Sequence, residues 1–187
     1  SRDAHFIVMP GVMGEMRAVP PTEPHQQTPP LSPWELAYLT KRNFGVAAAE
    51  IGPGNIGRIE IYEQFYRPAR EVREAVGAAM AKVANTNGLI VDLSRTIGGD
   101  PLGVAHFASY FFDREPFVLN RFRWRKLPDQ EFRTSAELAG PRYGERRPVA
   151  VLVSSSSFSA AEEFAYDMKV LNRAVIVGER TPGAANH

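Results

Sequence analysis

The sequence predicts an α/β domain built on a largely parallel β-sheet. Short apolar, β-branched runs alternate with segments whose apolar residues recur at helical spacing. The clearest runs lie at 89–93, 149–154 and 174–177, and helical segments at 101–112 and 160–171 separate them. Strands that alternate with helices in this way are typical of parallel sheets covered by helices.

Composition supports a globular domain and limits the chemistry available to it. The chain has 187 residues, of which 44% are hydrophobic and 23% charged, and its net charge of +1 gives no indication of nucleic-acid binding. It contains no cysteine, which excludes disulfides, thiolate metal sites and a cysteine nucleophile. No apolar run reaches the roughly 18 residues that a membrane span needs, so none is predicted.

The first half of the chain is predicted to carry three strands and two helices. Ser32 and Glu35 have the S-x-x-E spacing of a capping box, and Pro33 occupies the first helical position. Apolar residues over 72–83 recur at helical spacing. The predicted elements are a strand at 6–9, a Pro-rich loop at 10–31, a helix from 33 to about 41, a strand at 43–51, a turn at 53–55, a strand at 56–62 and a helix over 72–83.

The second half repeats the strand-to-helix pattern. Apolar runs predict buried strands, and Gly98-Gly99 predicts a sharp loop before the next helix. The predicted elements are strands at 89–93, 117–126, 149–154 and 174–177, helices at 101–112 and 160–171, and a polar loop at 133–145.

Ser159 is the first candidate for chemistry, because it lies between a predicted buried strand and a predicted helix. Backbone N–H groups converge at a helix N-terminus, and the helix dipole favours negative charge there. A serine nucleophile would suit that place. So would an ordinary cap, since Ser159 and Glu162 have capping-box spacing. Both interpretations stay open, although the absence of G-x-S-x-G argues against an ordinary α/β-hydrolase.

Gly98 and Gly99 are the second candidate. Paired glycines let backbone N–H groups turn toward a ligand with no Cβ in the way, as half of an oxyanion hole requires. A tight strand-to-helix turn explains them equally well. No dinucleotide or phosphate-loop fingerprint occurs, so no cofactor is predicted.

Histidine and the basic strand give weaker signals. Of the four histidines, none is singled out by its spacing, and no H-E-x-x-H pattern occurs, so no metal site is predicted. Residues 121–126 alternate basic and aromatic side chains. A single-strand nucleic-acid surface would have that pattern, but so would a half-exposed strand with a solvated basic face, which we favour; no nucleic-acid partner is predicted.

Four strings taken together resemble a known family. They lie, in order, at 54–57, 92–99, 158–166 and 173–181. The chain resembles the C-terminal processing (tail-specific) serine proteases, in the branch related to interphotoreceptor retinoid-binding protein and the tricorn protease core. The resemblance implies a ClpP/crotonase-like ββα superhelix with a largely parallel sheet. It also implies that residues 1–187 form a single catalytic domain, and it implies a secreted or periplasmic location. No PDZ-like segment is recognised between residues 5 and 55, so no PDZ domain is predicted. Because residues 1–8 lead directly into strand-like sequence and the chain stops at 183–187 without a tail, we expect the domain to be truncated at both ends.

The resemblance also implies a catalytic site. It places the nucleophile on Ser159 and the oxyanion hole on the N–H of Ala160 together with one from Gly98 or Gly99. The lysine of the family's T-x-G-K string is replaced by Ala184. Tricorn-type members use an early histidine instead, which makes His5 the candidate general base. Their carboxylate member would lie beyond the end of this chain, and no metal or cofactor is involved.

The glycine loop departs from the family pattern. The family string D-L-R-x-N-x-G-G reads D-L-S-R-T-I-G-G at 92–99, so the hydrogen bonds that support the loop are expected to differ. Two hypotheses follow. The preferred one is a serine peptidase acting on a peptide or protein substrate. The alternative is a catalytically silent binding module for a peptide or for an apolar ligand of the retinoid or fatty-acid type.

Overall fold

A computed structural model describes residues 29–123 and 128–184. Four helices and nine strands are present within these two ranges. The helices are α1 (Pro33–Thr40), α2 (Arg70–Val83), α3 (Pro101–Ala108) and α4 (Ala160–Val170). The strands are β1 (Val46–Gly52), β2 (Ile56–Ile61), β3 (Glu63–Phe65), β4 (Gly88–Asp92), β5 (Thr96–Gly99), β6 (Val118–Phe122), β7 (Gln130–Arg133), β8 (Val149–Val153) and β9 (Val175–Gly178).

The central sheet has five strands in the order β1-β2-β4-β8-β9. Strands β1 and β2 form an antiparallel hairpin, whereas β2–β4, β4–β8 and β8–β9 pair in parallel. The predicted α/β class with a largely parallel sheet is therefore confirmed. Because parallel strands end at one edge of a sheet, the segments that follow β4, β8 and β9 lie together.

Two smaller sheets flank the central one. Strand β3 pairs in parallel with β5, and β6 pairs antiparallel with β7. The β3–β5 pair is joined to the core by Phe65, whose ring packs against Phe107 of α3 and Phe164 of α4, with ring centroids 6.0 and 5.8 Å apart. This aromatic cluster fixes β5 against the start of α4.

Most of the predicted elements are present. Helix α1 begins with the Ser32–Glu35 capping box and with proline at its first position. Helix α2 buries the apolar face that its spacing predicts: Val72, Val76, Ala79, Met80 and Val83. The predicted strand at 6–9 and residues 10–28 of the predicted loop lie outside the described residues. Within the described ranges, no helix is long and apolar enough to cross a membrane.

Two predictions of local structure were wrong, and one strand was missed. The strand predicted at 43–51 begins only at Val46. Asn43 and Phe44, which have positive φ values of 44° and 54°, form a turn before it. Gly98-Gly99 is the end of β5 rather than a free loop, because it pairs with β3. Strand β7, the second strand of the β6–β7 hairpin, was not predicted, and the predicted polar loop shares only Arg133 with it.

Strand β9 was predicted to be buried, and this too was wrong. It is the last strand of the central sheet as described, with Val175 64% and Val177 51% exposed. An edge strand has a neighbour on one side only, so an apolar sequence does not guarantee burial.

Candidate active site

Ser159 lies at the N-cap of α4 in an unusual backbone conformation. Its φ and ψ are 52° and −114°. An N-cap residue ordinarily has extended angles, as Ser32 has at −64° and 159°. The Ser159–Glu162 capping box is present, and the Glu162 carboxylate accepts a hydrogen bond from the Ser159 N–H at 2.9 Å. A cap therefore accounts for the Glu162 contact, but the backbone conformation needs a further reason.

Gly98 lies directly against Ser159. A Cβ atom built on Gly98 would be 3.5 Å from the Ser159 Cβ and 3.9 Å from its Oγ. Gly98 and Gly99 have φ values of 143° and 135°, which glycine adopts without a steric penalty. A Cβ on Gly99 would come within 2.3 Å of the Phe65 carbonyl oxygen. The structure thus brings two of the predicted site residues, Ser159 and Gly98, into contact.

Ala160 is the first residue of α4 and directly follows Ser159. N–H groups in the first turn of a helix have no partner within the helix and point out of its end. Ala160 itself is buried. The predicted oxyanion-hole residues therefore come from two elements, Gly98 and Gly99 from the end of β5 and Ala160 from the start of α4.

The serine-rich run before Ser159 ties the end of β8 to the end of β4. The Ser154 hydroxyl donates to the carbonyl of Ser94 at 2.6 Å, and the Ser157 hydroxyl donates to that of Leu93 at 2.8 Å. Ser157 Oγ also accepts from the Ser154 N–H at 2.9 Å. These serines have a structural role, since they satisfy backbone groups where the strands end.

Thr96 connects the glycine strand to both neighbours. Its carbonyl accepts from the N–H of Phe158 at 3.1 Å, and its hydroxyl donates to the carbonyl of Ile61 at 2.6 Å. Thr96 is fully buried. Thr96 therefore holds Phe158, the residue before Ser159, and also ties strand β5, which ends in Gly98 and Gly99, to Ile61 at the end of β2.

A charge network supports the segment at 92–99, whose sequence departs from the family pattern. The Asp92 carboxylate accepts from the N–H and hydroxyl of Ser94 at 2.9 and 2.6 Å, and from Arg58 at 2.6 Å. Burial acts to raise the pKa of Asp92, but these hydrogen bonds lower it overall. Arg95 pairs with Glu60, which also binds Arg58. The substituted residues thus supply hydrogen bonds of their own.

Glu162 holds the segment that contains Ala184. Besides the Ser159 N–H, its carboxylate accepts from the N–H groups of Gly183 at 2.6 Å and Ala184 at 2.9 Å. Burial acts to raise its pKa, but the hydrogen bonds from Thr181, Ala184, Gly183 and Ser159 lower it overall. Ala184 is thereby held beside the start of α4, with its methyl group buried.

The predicted base, His5, lies outside the described residues. Within those residues the only histidine is His106, which is 3% exposed in α3 and packs edge-on against Tyr110. Burial, with a contribution from the charge of Arg73, lowers the pKa of His106 to about 4. His106 is therefore neutral at pH 7. Across 29–123 and 128–184, no three His, Cys, Asp or Glu side chains are grouped so that they could hold a metal ion.

A cavity of 770 Å³ opens beside α4, between that helix, the β6 strand and the end of β9. Glu162, Glu163 and Thr181 are among its lining residues. Glu163 is 6% exposed, and its carboxylate accepts from the Asn120 side-chain amide at 2.9 Å. Asp167, 3% exposed, is 3.4 Å from the same amide.

Sequence analysis did not identify this carboxylate pair. Burial, opposed by the Asn120 hydrogen bond and reinforced by the charge of Asp100, raises the pKa of Glu163 to about 7. Burial and the charge of Glu163 raise that of Asp167 to about 8. The available signal was their i, i+4 spacing on a predicted helix, but acidic residues on a helix usually face solvent.

The chain is similar to known proteins both in sequence and in fold. A family profile described as Peptidase family S41 matches residues 55–186. Among solved structures, the photosystem II D1 C-terminal processing protease is 24% identical, with a TM-score of 0.54 over 74% of this chain and 35% of that one. A putative S41 protease from Bacteroides fragilis is 19% identical, with a TM-score of 0.62 over 74% and 39% of the two chains.

A putative peptidase from Parabacteroides merdae is 22% identical, with a TM-score of 0.55. It is matched over 78% of this chain and 49% of its own length. This chain therefore spans between about a third and a half of the length of these three structures. At these identities the structures show a shared fold.

Proposed function

The chain belongs to peptidase family S41, and from that premise we propose that it forms the core of a serine peptidase with Ser159 as nucleophile. The observation that carries the proposal is the contact between Gly98 and Ser159, made while Ser159 holds a strained backbone conformation at a helix N-terminus. Strain of this kind persists only where the surrounding structure imposes it, and it is concentrated at functional sites.

The proposed reaction is acyl transfer to Ser159. Its hydroxyl oxygen attacks the carbonyl carbon of a peptide bond while its proton passes to a general base. N–H groups of Gly98 or Gly99 and of Ala160 stabilise the negative charge that develops on the carbonyl oxygen. A donor of this kind typically contributes about 3 kcal/mol to transition-state stabilisation. The base then returns the proton to the leaving amine, and water hydrolyses the acyl-enzyme.

We assign the general base to His5. The family's lysine position is occupied by Ala184, whose side chain cannot accept a proton. Glu162, the carboxylate beside Ser159, accepts hydrogen bonds from backbone N–H groups, which favour its ionised form and make it a weak base. His106 is buried against Tyr110 and lines a cavity of only 20 Å³. An imidazole from the N-terminal segment would meet the requirement.

Labelling with a fluorophosphonate probe tests the nucleophile. On the full-length protein we expect one labelled serine, Ser159, and loss of labelling in Ser159→Ala. Ser156→Ala is the matched control, because Ser156 is an exposed serine of the same run. Labelling of Ser159→Ala, or no labelling of a folded wild-type protein, would contradict the proposal.

The base is tested with His5→Ala and its conservative partner His5→Gln. Both variants should lower the labelling rate by at least a hundredfold while Ser159 stays present, since general-base catalysis contributes about 10²–10⁴-fold. An unchanged rate in both variants would remove His5 from the mechanism. Tight binding of an apolar ligand or peptide without turnover, unaffected by Ser159→Ala, would instead support the binding-module hypothesis.

A further inference from the structure

We propose that the cavity beside α4 binds a basic side chain of the peptide substrate, with Glu163 as the anionic group that recognises it. This inference deepens the proposed function, because it names the substrate class, and it rests on that function where cleavage is concerned. Binding of the basic side chain can be measured without cleavage.

The position of Glu163 relative to Ser159 is the first argument. Ser159, Glu163 and Asp167 are spaced four residues apart, so they follow one another along one face of α4. Four residues correspond to about 6 Å along a helix axis. An extended lysine or arginine side chain covers a distance of this order. A substrate whose carbonyl lies at Ser159 can therefore place a cation at Glu163.

The lack of a cationic partner is the second argument. The buried carboxylates of Glu60 and Asp92 both pair with Arg58. In contrast, within residues 29–123 and 128–184 no lysine or arginine nitrogen lies within 4.0 Å of Glu163 or Asp167, and Asn120 is their hydrogen-bond donor. Buried carboxylates are ordinarily paired with a cation, a metal or several donors. The Glu163 site lacks such a partner, and it lines an open cavity.

The walls of the cavity suit the apolar part of a basic side chain. Val153, Ala165, Ile176 and Phe122 line it with apolar groups, against which a methylene stem can pack. Tyr166, 65% exposed, lies on the same face. An aromatic ring in the lining can attract a cation through its face.

The basic residues of the lining do not oppose this assignment. Arg121 pairs with Glu131, and Arg123 lies 3.8 Å from Asp129, so both have carboxylate partners in the β6–β7 region. Lys169 and Arg180 are exposed, so water and salt screen their charges. The Glu163 carboxylate is buried, where a charge acts through a lower dielectric constant and over a longer range.

The elevated pKa values of the carboxylate pair are those of buried carboxylates that have no cation beside them. Burial raises the pKa of Glu163 to about 7 and that of Asp167 to about 8, so the pair lacks compensation in the absence of substrate. An ammonium or guanidinium group would favour the ionised carboxylate and release a proton on binding. Removal of a buried charge with isosteric glutamine leaves the acceptor for Asn120 in place.

Peptide binding to the Ser159→Ala variant of the full-length protein provides the test. Fluorescent peptides carrying lysine or norleucine, one at each successive position, are compared by anisotropy. We expect the lysine peptide to bind at least tenfold more tightly at one position. Glu163→Gln should abolish that preference and Asp167→Asn should reduce it. Glu179→Gln is the matched control, since Glu179 lines the same cavity but accepts from the Ser155 N–H.

Equal affinity for lysine and norleucine at every position would overturn the inference, as would an unchanged preference in folded Glu163→Gln. If Glu163→Gln fails to fold, an unchanged lysine preference in folded Asp167→Asn would overturn it. Cleavage separates this inference from the proposed function. A protein that is labelled at Ser159 and cleaves peptides without preference for basic residues refutes the inference alone. Selective lysine binding without labelling supports the inference and refutes the peptidase proposal.

Discussion

Ser159 holds a backbone conformation that an L-residue adopts only under constraint, with φ of 52° and ψ of −114°. Two contacts impose it. The preceding Phe158 N–H donates to the Thr96 carbonyl, and the Ser159 N–H itself donates to the Glu162 carboxylate. Such conformations cost about 1–3 kcal/mol each. A cap residue with extended backbone angles would be more stable at this helix start. The chain therefore keeps Ser159 in a conformation that lowers its stability.

Glycine at position 159 should make the protein more stable, contrary to the usual effect of removing a cap. Ser159→Gly relieves the strain and retains the N–H that donates to Glu162, so we expect about 1 kcal/mol of added stability. Ser32→Gly removes an ordinary cap side chain and should destabilise by a few tenths of a kcal/mol. Urea denaturation measures both. A destabilised Ser159→Gly would show that Ser159 acts as a cap and nothing more.

Helix α4 combines a polar start with an acidic face beneath the β6–β7 hairpin. Ser159 is its N-cap and Glu162 lies in its first turn, and the buried carboxylates of Glu163 and Asp167 contact Asn120 of β6. The two raised pKa values have a direct consequence for stability. In the unfolded chain these groups ionise near pH 4, so between pH 4 and 8 the folded state binds more protons than the unfolded state.

Stability should therefore fall as pH rises from 6 to 9. The stabilising contribution is fully present below the unfolded pKa values and is lost through the folded values near 7 and 8. We expect the free energy of unfolding to drop by about 4 kcal/mol across this interval. The groups facing the pair are Asn120 and, more distantly, Asp100, neither of which supplies a positive charge. Urea denaturation at pH 6 and 9 measures the effect.

Glu163→Gln should flatten this pH dependence, because it removes one titrating group. Glu131→Gln is the control. Hydrogen bonds from Arg121 and Arg133 lower the pKa of Glu131, so its titration lies below the interval. A wild-type protein whose stability is level or rises between pH 6 and 9 would show that the pair is ionised and compensated in the folded state.

At the scale of the whole molecule, the sequence predicted those helices and strands whose hydrophobic pattern is long enough to be recognised. Helix α2 has four turns of regular spacing, and β4 and β8 are continuous apolar runs. Strands β3 and β5 have only three and four residues, and β5 ends in glycines, so neither has a readable pattern. Their pairing arises from tertiary contacts.

The site could be predicted in the same uneven way. The order of motifs indicated Ser159 and Gly98, which the fold brings together from chain positions 61 residues apart. The burial of the Glu163 and Asp167 carboxylates could not be predicted, because the sequence of a helix does not reveal which part of the chain will pack against it. The role of Ser154 and Ser157 was equally hidden, since their acceptors are carbonyls at the end of another strand.

Arginine side chains that bind backbone carbonyls hold the irregular segment at 134–148 to the rest of the molecule. Within it, Arg142 donates to the carbonyls of Phe112 and Ser135, and Arg147 donates to those of Thr86 and Tyr143. Arg173, which follows α4 and is 8% exposed, donates through Nε to Phe111 at 2.8 Å and through Nη2 to Gly144 at 2.6 Å. One guanidinium thus joins the end of α4, the turn after α3 and this segment.

Arg173→Lys should therefore destabilise the protein by about 2–3 kcal/mol even though the charge is kept. An ammonium group cannot reproduce the planar fork that reaches both carbonyls, and a buried carbonyl without a donor costs about 1–3 kcal/mol. Arg70→Lys is the control, because the Arg70 side chain is 78% exposed and the change should stay within about 0.5 kcal/mol. Urea denaturation followed by tryptophan fluorescence and by far-UV circular dichroism measures both variants. Equal stability of Arg173→Lys and wild type would mean that charge alone, without fork geometry, holds these three parts together.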